Sequence, residues 1–337
     1  MDIRRLAAAL FCATVLLISA DAEAQGRAPI KVIAHPPDNG SKLPLYLGKE
    51  AGIFEKNGIQ VSFHHPGSNE KLLQAMKTKE ADIYVISVTH AISNKAAGAG
   101  DLVIVANTGY NYFRFLAEPS IAKAEDLKGK KVGTGDPGST PDRITRLILT
   151  KLGLDPAKDV TLVPLGSGGR RRVESLTSGQ VSAASVTSEG IFELEKTGQD
   201  KKFRVLTDYK KLNIYTGGGA DYAVSPLFLR ESRDRVKAFL RSICEAVALA
   251  RKDKRRAIEI LGKTMRITDP ALLEFVHRIY VGEVIPERPY PRLESMELGI
   301  QMTLSRLDAK GIKAQDLMDL SLIQELENEG LFKQLYQ

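Results

Sequence analysis

Strand-like runs of apolar and β-branched residues alternate with helix-patterned runs along almost the whole chain, and that alternation restricts the fold more than any other feature. Strands separated by helices lie parallel and need helices over their faces. Residues 30–34, 59–63, 83–86 and 102–106 read as strands with helices between them. The pattern restarts near Glu118, where residues 130–133, 160–165, 182–186 and 203–206 read as a second α/β unit. Residues 212–225 are extended again, and from about Leu227 the chain is mainly helical, with apolar stripes at 236–250, 272–280, 293–307 and 317–335. A chain of 337 residues also exceeds the size at which one hydrophobic core stops growing. The expected fold is α/β with two lobes, each a mostly parallel sheet flanked by helices, and a helical C-terminal region.

The N-terminus says where this body works. Arg4 and Arg5 precede an uncharged run at 6–20, which exits through Ala22-Glu23-Ala24. That is the layout of a secretory signal peptide cleaved after Ala24, and its apolar run is too short to span a bilayer. Cys12 is preceded by bulky Phe11, where a lipoprotein signal would carry a small residue. Export to the periplasm without an anchor is expected. Of two cysteines only Cys244 survives cleavage, so no internal disulfide can form. It falls among Val236, Phe239, Leu240, Ile243 and Val247 on a helical stripe and reads as a buried thiol.

The formal charge is +7, but 48 Lys and Arg are spread among 41 acids. Arg170-Arg171-Arg172 and the basic run at 251–256 stand out. Neither is interleaved with aromatics, and the second ends a helix, where cations suit the dipole. Nucleic acid is not an expected partner.

Residues for catalysis are missing. The sequence has neither a G-x-S-x-G elbow nor a phosphate-binding G-x-x-x-x-G-K-[ST] loop. His64 and His65 are neighbours on a strand end and point to opposite faces, so they cannot share an ion. His35, His90 and His277 have no acidic or cysteine partner at ligand spacing. No enzyme, metal or cofactor is expected.

Binding residues are better represented. Open α/β sheets hold ligands at the C-terminal ends of their strands. The loops there carry Ser41 and Lys42, Ser68, Ser87 and Thr89, then Gly138, Ser139 and Thr140, and finally Thr187 and Glu189. The Gly138-Ser139-Thr140-Pro141 turn is the sharpest of these, since free amides at a helix start and two hydroxyls suit an anion. The same residues would equally serve as a plain helix cap. Arg170 lies on another such loop, to meet an anion or water. His35 and Tyr215 offer rings to a ligand or to the core.

Pro44-Leu45-Tyr46-Leu47-Gly48-Lys49-Glu50-Ala51-Gly52-Ile53-Phe54 resembles the P-x-Y-x-A-x-x-x-G-x-F opening of ABC-transporter solute-binding proteins, in the branch that takes nitrate, sulfonates, taurine and thiamine-pyrimidine precursors. Lys79-Glu80-Ala81-Asp82-Ile83, the segment 126–133, Ser178-Gly179-Gln180-Val181-Ser182-Ala183-Ala184 and Val236-Lys237-Ala238-Phe239-Leu240 follow in the family's order. Ser182 stands where the family usually has Asp, and Gly48 where it has Ala. The resemblance implies a type II periplasmic-binding-protein clamp: lobe 1 from 25–116 plus 217–337, lobe 2 from 117–216, and a ligand between them. It further implies a monomer that delivers a small polar or anionic organic molecule (a sulfonate, a carboxylate, or a nitrate-like or pyrimidine-like solute) to an inner-membrane permease. A sensor accessory or an enzyme on the same scaffold are the alternatives.

Overall fold

The computed structural model describes residues 28–34, 40–166, 169–215, 217, 219–304 and 311–337, so the signal segment at 1–24 and His35 lie outside the described residues. The first lobe begins with β1 (Ile30–Ala34), α1 (Leu43–Glu50), α2 (Ile53–Lys56), β2 (Val61–His64), α3 (Asn69–Lys77), β3 (Ile83–Ile86), α4 (Val88–Ala96) and β4 (Val103–Asn107). The second lobe holds β5 (Phe113–Ala117), β6 (Lys131–Thr134), α5 (Thr140–Lys151), β7 (Thr161–Pro164), α6 (Gly169–Thr177), β8 (Ala183–Thr187), α7 (Ser188–Lys196) and β9 (Arg204–Asp208). The chain then returns through β10 (Asp221–Val224) to α8 (Pro226–Glu231), α9 (Arg233–Lys252), α10 (Lys254–Met265) and α11 (Pro270–Ile279). A π-helical turn (Tyr280–Val284), α12 (Leu293–Leu304), α13 (Ser321–Asn328) and α14 (Leu331–Tyr336) follow.

Two five-stranded sheets share one topology. The orders are β2-β1-β3-β10-β4 and β7-β6-β8-β5-β9. In each, four strands run one way and one is reversed, β10 in the first sheet and β5 in the second. Each reversed strand is the first that the chain lays down after a crossing between the lobes. Strand alternation sorts the core: Ile30, Val32 and Ala34 of β1 pack towards Val236 and Phe239 of α9, and Ile33 packs with Leu72, Met76 and Ile92 of α3 and α4. Cys244 is fully buried on α9, where burial pushes its thiol up.

The strand over Phe113–Ala117 is absent from the sequence reading, which restarts the pattern at Glu118. All five residues of β5 pair with β8, so a division at 116 would cut through a strand. The chain passes between sheets over 108–112 and returns over 209–220. The stripe at 317–335 is likewise two helices, broken at Gly330 with a φ of +81°.

The two passages touch. Tyr110 and Gly217 form an antiparallel bridge, and the Tyr110 and Tyr215 rings lie 4.9 Å apart. Asp221, at the start of β10 and fully buried, ties them to β4 and to the start of α4. Its carboxylate accepts from Asn107 Nδ2 at 2.7 Å, at the end of β4, and from Val88 N at 2.9 Å, at the start of α4. Burial raises the Asp221 pKa to about 6, against the lowering effect of those two donors.

A carboxyl group easier to protonate folded than unfolded adds stability below its unfolded pKa, and loses it as pH rises through the folded value. Stability is expected to fall between about pH 4 and pH 6 by about 3 kcal/mol from this group alone. Urea unfolding across that range checks it: the Asp221→Asn variant should lose that part of the slope, and an unchanged profile would show that Asp221 does not titrate there.

Candidate functional site

The helix starts that border the interlobe cleft differ in what satisfies their first amides. At α5, the buried Asp142 carboxylate accepts from Gly138 N at 3.0 Å and from Thr134 Oγ1 at 3.2 Å, and pairs with Arg146. Ser139 Oγ in turn accepts from Asp142 N at 3.4 Å. The turn that reads as the sharpest anion site is therefore closed by the protein's own carboxylate, and Gly138 and Ser139 serve it as caps. At α4, Asp221 accepts the first amide, and Ser87 caps the helix and bonds Thr89 at 2.7 Å. Ser68 caps α3 through Lys71 N.

The start of α7 is different. Its N-cap Thr187 makes no side-chain capping bond. Orphan amides of a helix start carry partial positive charge, and nothing in the Thr187 side chain offsets it. Beside it lies Arg172 of α6, 2% exposed. Arg172 Nε donates to Ser185 O at 2.9 Å and Nη1 approaches Gly166 O at 3.4 Å, and among the described residues no carboxylate pairs with it. Burial alone lowers its pKa. A buried cation held by neutral carbonyls keeps its full charge uncompensated, which is costly unless an anion joins it.

Both features open on one cavity of about 530 Å³. Its polar floor is Arg172, Thr140, Ser185, Thr187 and Ser188, with exposed Glu189 at the rim. Its opposite wall is apolar and comes from α10, α11 and the link between them, through Met265, Ile267, Leu272, Phe275 and Val276. Tyr280 closes one end.

Of the residues picked from sequence, the cavity gathers Thr140, Thr187 and Glu189. Ser41 and Lys42 are buried in a 3-10 turn (Gly40–Lys42) under the first passage, where Thr108 Oγ1 donates to Ser41 O. Tyr215 belongs to the passage between lobes, with the Arg292 guanidinium 4.4 Å above its ring. Arg170 lies outside this cavity: it projects into solvent and pairs with Glu174 at 2.9 Å. Two residues are more than half a helical turn, so Arg170 and Arg172 occupy opposing faces of α6. Arg172 shares its buried face with Ser175 and Leu176, and that i, i+4 relation to Leu176 was a signal available in the sequence. Ser185, Ser188, Tyr280 and the α10–α11 wall were also missed.

An uncompensated cation contributes little to folding. Arg172→Gln should change unfolding free energy by less than about 1 kcal/mol without ligand, because lost carbonyl bonds offset relief of a buried charge. Denaturant unfolding of both proteins checks this. A loss above about 3 kcal/mol would make Arg172 a structural residue.

Comparisons with known proteins agree on this architecture. The family model "NMT1/THI5 like" matches residues 39–257. YtlA of Bacillus subtilis (strain 168) is 25% identical over 124 residues, which is 36% of this chain and just over a third (37%) of that relative. The periplasmic aliphatic sulphonate binding protein SsuA from Escherichia coli superposes with a TM-score of 0.66 at 20% identity, covering 89% of this chain and all (100%) of that one. The periplasmic nitrate-binding protein NrtA from Synechocystis PCC 6803 gives a TM-score of 0.59 at 14% identity, covering 90% of this chain and 89% of that one. The chain belongs to the NMT1/THI5-like family and carries the two-lobed fold of periplasmic binding proteins.

Proposed function

We propose that this protein is an exported solute-binding clamp that captures an organic anion with an apolar body and presents it to an ABC importer. The observation that carries the reading is Arg172: a buried guanidinium that no carboxylate pairs with among the described residues, beside a helix start that has no side-chain cap, in a cavity with one apolar wall. A carboxylate or sulfonate would bond the guanidinium fork and the first amides of α7. The rest of the ligand would lie on Phe275, Leu272 and Val276, gaining roughly 25 cal/mol for each Å² of apolar area covered. An inorganic anion such as nitrate would leave most of that wall uncovered. This favours sulfonates and carboxylates within the branch that the sequence resembles.

Closure about the passages at 108–112 and 209–220 would bring the α11 wall of lobe 1 onto the floor of lobe 2, the hinge motion by which such clamps trap solutes. The fold relatives SsuA and NrtA are periplasmic binding proteins, which supports the same role here, with the N-terminal segment removed after Ala24 and a permease as partner. Binding without turnover is the chemistry that this cavity suits.

A thermal-shift screen of alkyl and aryl sulfonates, aromatic carboxylates, nitrate and pyrimidines tests it. An organic anion at 100 times its Kd should add about 2.7 kcal/mol, a rise in Tm of roughly 5 °C. Arg172→Gln should weaken that ligand about 100-fold or more by calorimetry. A preference for nitrate or for uncharged pyrimidines, or a variant that binds as tightly as the parent, would contradict the assignment.

A further inference from the structure

The lobes meet in three zones. Beside α7, the Phe192 and Phe275 rings lie 5.2 Å apart, Glu195 pairs with Arg278, and Lys196 pairs with Asp269 at 3.2 Å. Near the passages, Tyr209 Oη donates to Glu283 O at 2.9 Å, and Arg114 pairs with the Glu283 carboxylate at 3.4 Å. In the third zone α5 of lobe 2 faces α12 of lobe 1 across a groove of about 460 Å³. Ile144 lines this groove and the cavity of Arg172 alike, whereas Arg143 lines the groove but not the cavity.

Arg143 spans the third zone. Its Nε donates to Gly138 O at 3.1 Å within lobe 2, and its Nη1 donates to Met302 O in lobe 1. One planar fork therefore holds a main-chain carbonyl of each lobe. Met302 lies in the last turn of α12, where carbonyls lack a partner within the helix and the negative end of the dipole favours a cation. The helix itself is seated firmly: at Gly299, an added Cβ would come within 2.6 Å of a Val88 methyl on α4. The tie thus reaches the body of lobe 1, not a loose helix end.

Resting on the reading of the cavity as an anion site, we propose that Arg143 is a positioning residue of the clamp, which clasps the end of α12 when the lobes are closed and slows the release of an anion it does not touch. Opening would draw α5 away from α12 and return the guanidinium and the carbonyl to water, so the bond adds to the closed form alone. A ligand that requires the closed form gains by the same factor, and by linkage the ligand strengthens the clasp. The two arginines then have separate tasks: Arg172 meets the anion, and Arg143 meets the main chain of the other lobe.

The test compares Arg143→Gln, Arg143→Lys and Ser139→Ala with the parent protein by stopped-flow binding, using benzenesulfonate as the probe, after denaturant unfolding has checked that each variant folds. Arg143→Gln should speed dissociation about tenfold and leave association within about twofold of the parent, because the clasp is made after the ligand has entered. Arg143→Lys keeps the charge but loses the fork, so its dissociation should stay faster than the parent's. Ser139→Ala removes the cap of the same turn without touching the clasp, and should dissociate like the parent. Arg143→Gln might instead dissociate like the parent, or associate more slowly with Arg143→Lys restoring the rate, as a steering charge would. Either result, or a Ser139→Ala dissociation as fast as that of Arg143→Gln, overturns the clasp, and the anion site stands if Arg172→Gln abolishes binding. If benzenesulfonate at millimolar concentration does not bind the parent, both are overturned.

Discussion

A chain that lays down two sheets and returns to finish the first must cross between them twice, and here both crossings depend on one buried carboxylate. Asp221 receives Asn107 from the end of the strand that leads into the outward passage and Val88 from the helix beside the return. Because β10 sits between β3 and β4, the return strand cannot shift without breaking both ladders. The bridge between Tyr110 and Gly217 and the tyrosine rings around it then keep the two passages side by side. Two connections lying side by side have the geometry of a hinge between the lobes.

The same Asp221 shapes the electrostatics of that cleft. It fills the start of α4 in lobe 1, as Asp142 fills the start of α5 in lobe 2. Both helix dipoles are answered from within the protein. Among the described residues, only beside α7 do a helix start without a side-chain cap and a buried cation that no carboxylate pairs with coincide, and they do so on the floor of a cavity with an apolar wall. On the proposed reading, binding specificity comes less from adding donors than from silencing the competing ones.

The alternation of strands and helices was legible because each parallel strand is a short apolar run followed by a helix-start loop. β5 was not: Phe113, Phe115, Leu116 and Ala117 are buried in the middle of a sheet, but no helical pattern precedes them, and the aromatic run at 110–113 blends passage into strand. The π-turn at 280–284 leaves no periodic mark of its own. In the site, Thr140, Thr187 and Glu189 were legible as loop residues at strand ends. The closure of the Gly138 turn by Asp142 was not, because a carboxylate in a first helical turn looks the same in sequence whether it faces solvent or folds back on the loop. Arg170 and Arg172 could be told apart only by helical phase, which places Arg172 with Leu176.

The location of a bound anion decides the role of Arg172, and a crystal of the protein soaked with 4-bromobenzenesulfonate measures that location directly. The anomalous bromine signal should lie against Phe275 and Val276, with the sulfonate oxygens on Arg172 and the first amides of α7. A sulfonate at the Gly138 turn, or in the outer groove beside Arg251 and His277, would contradict it.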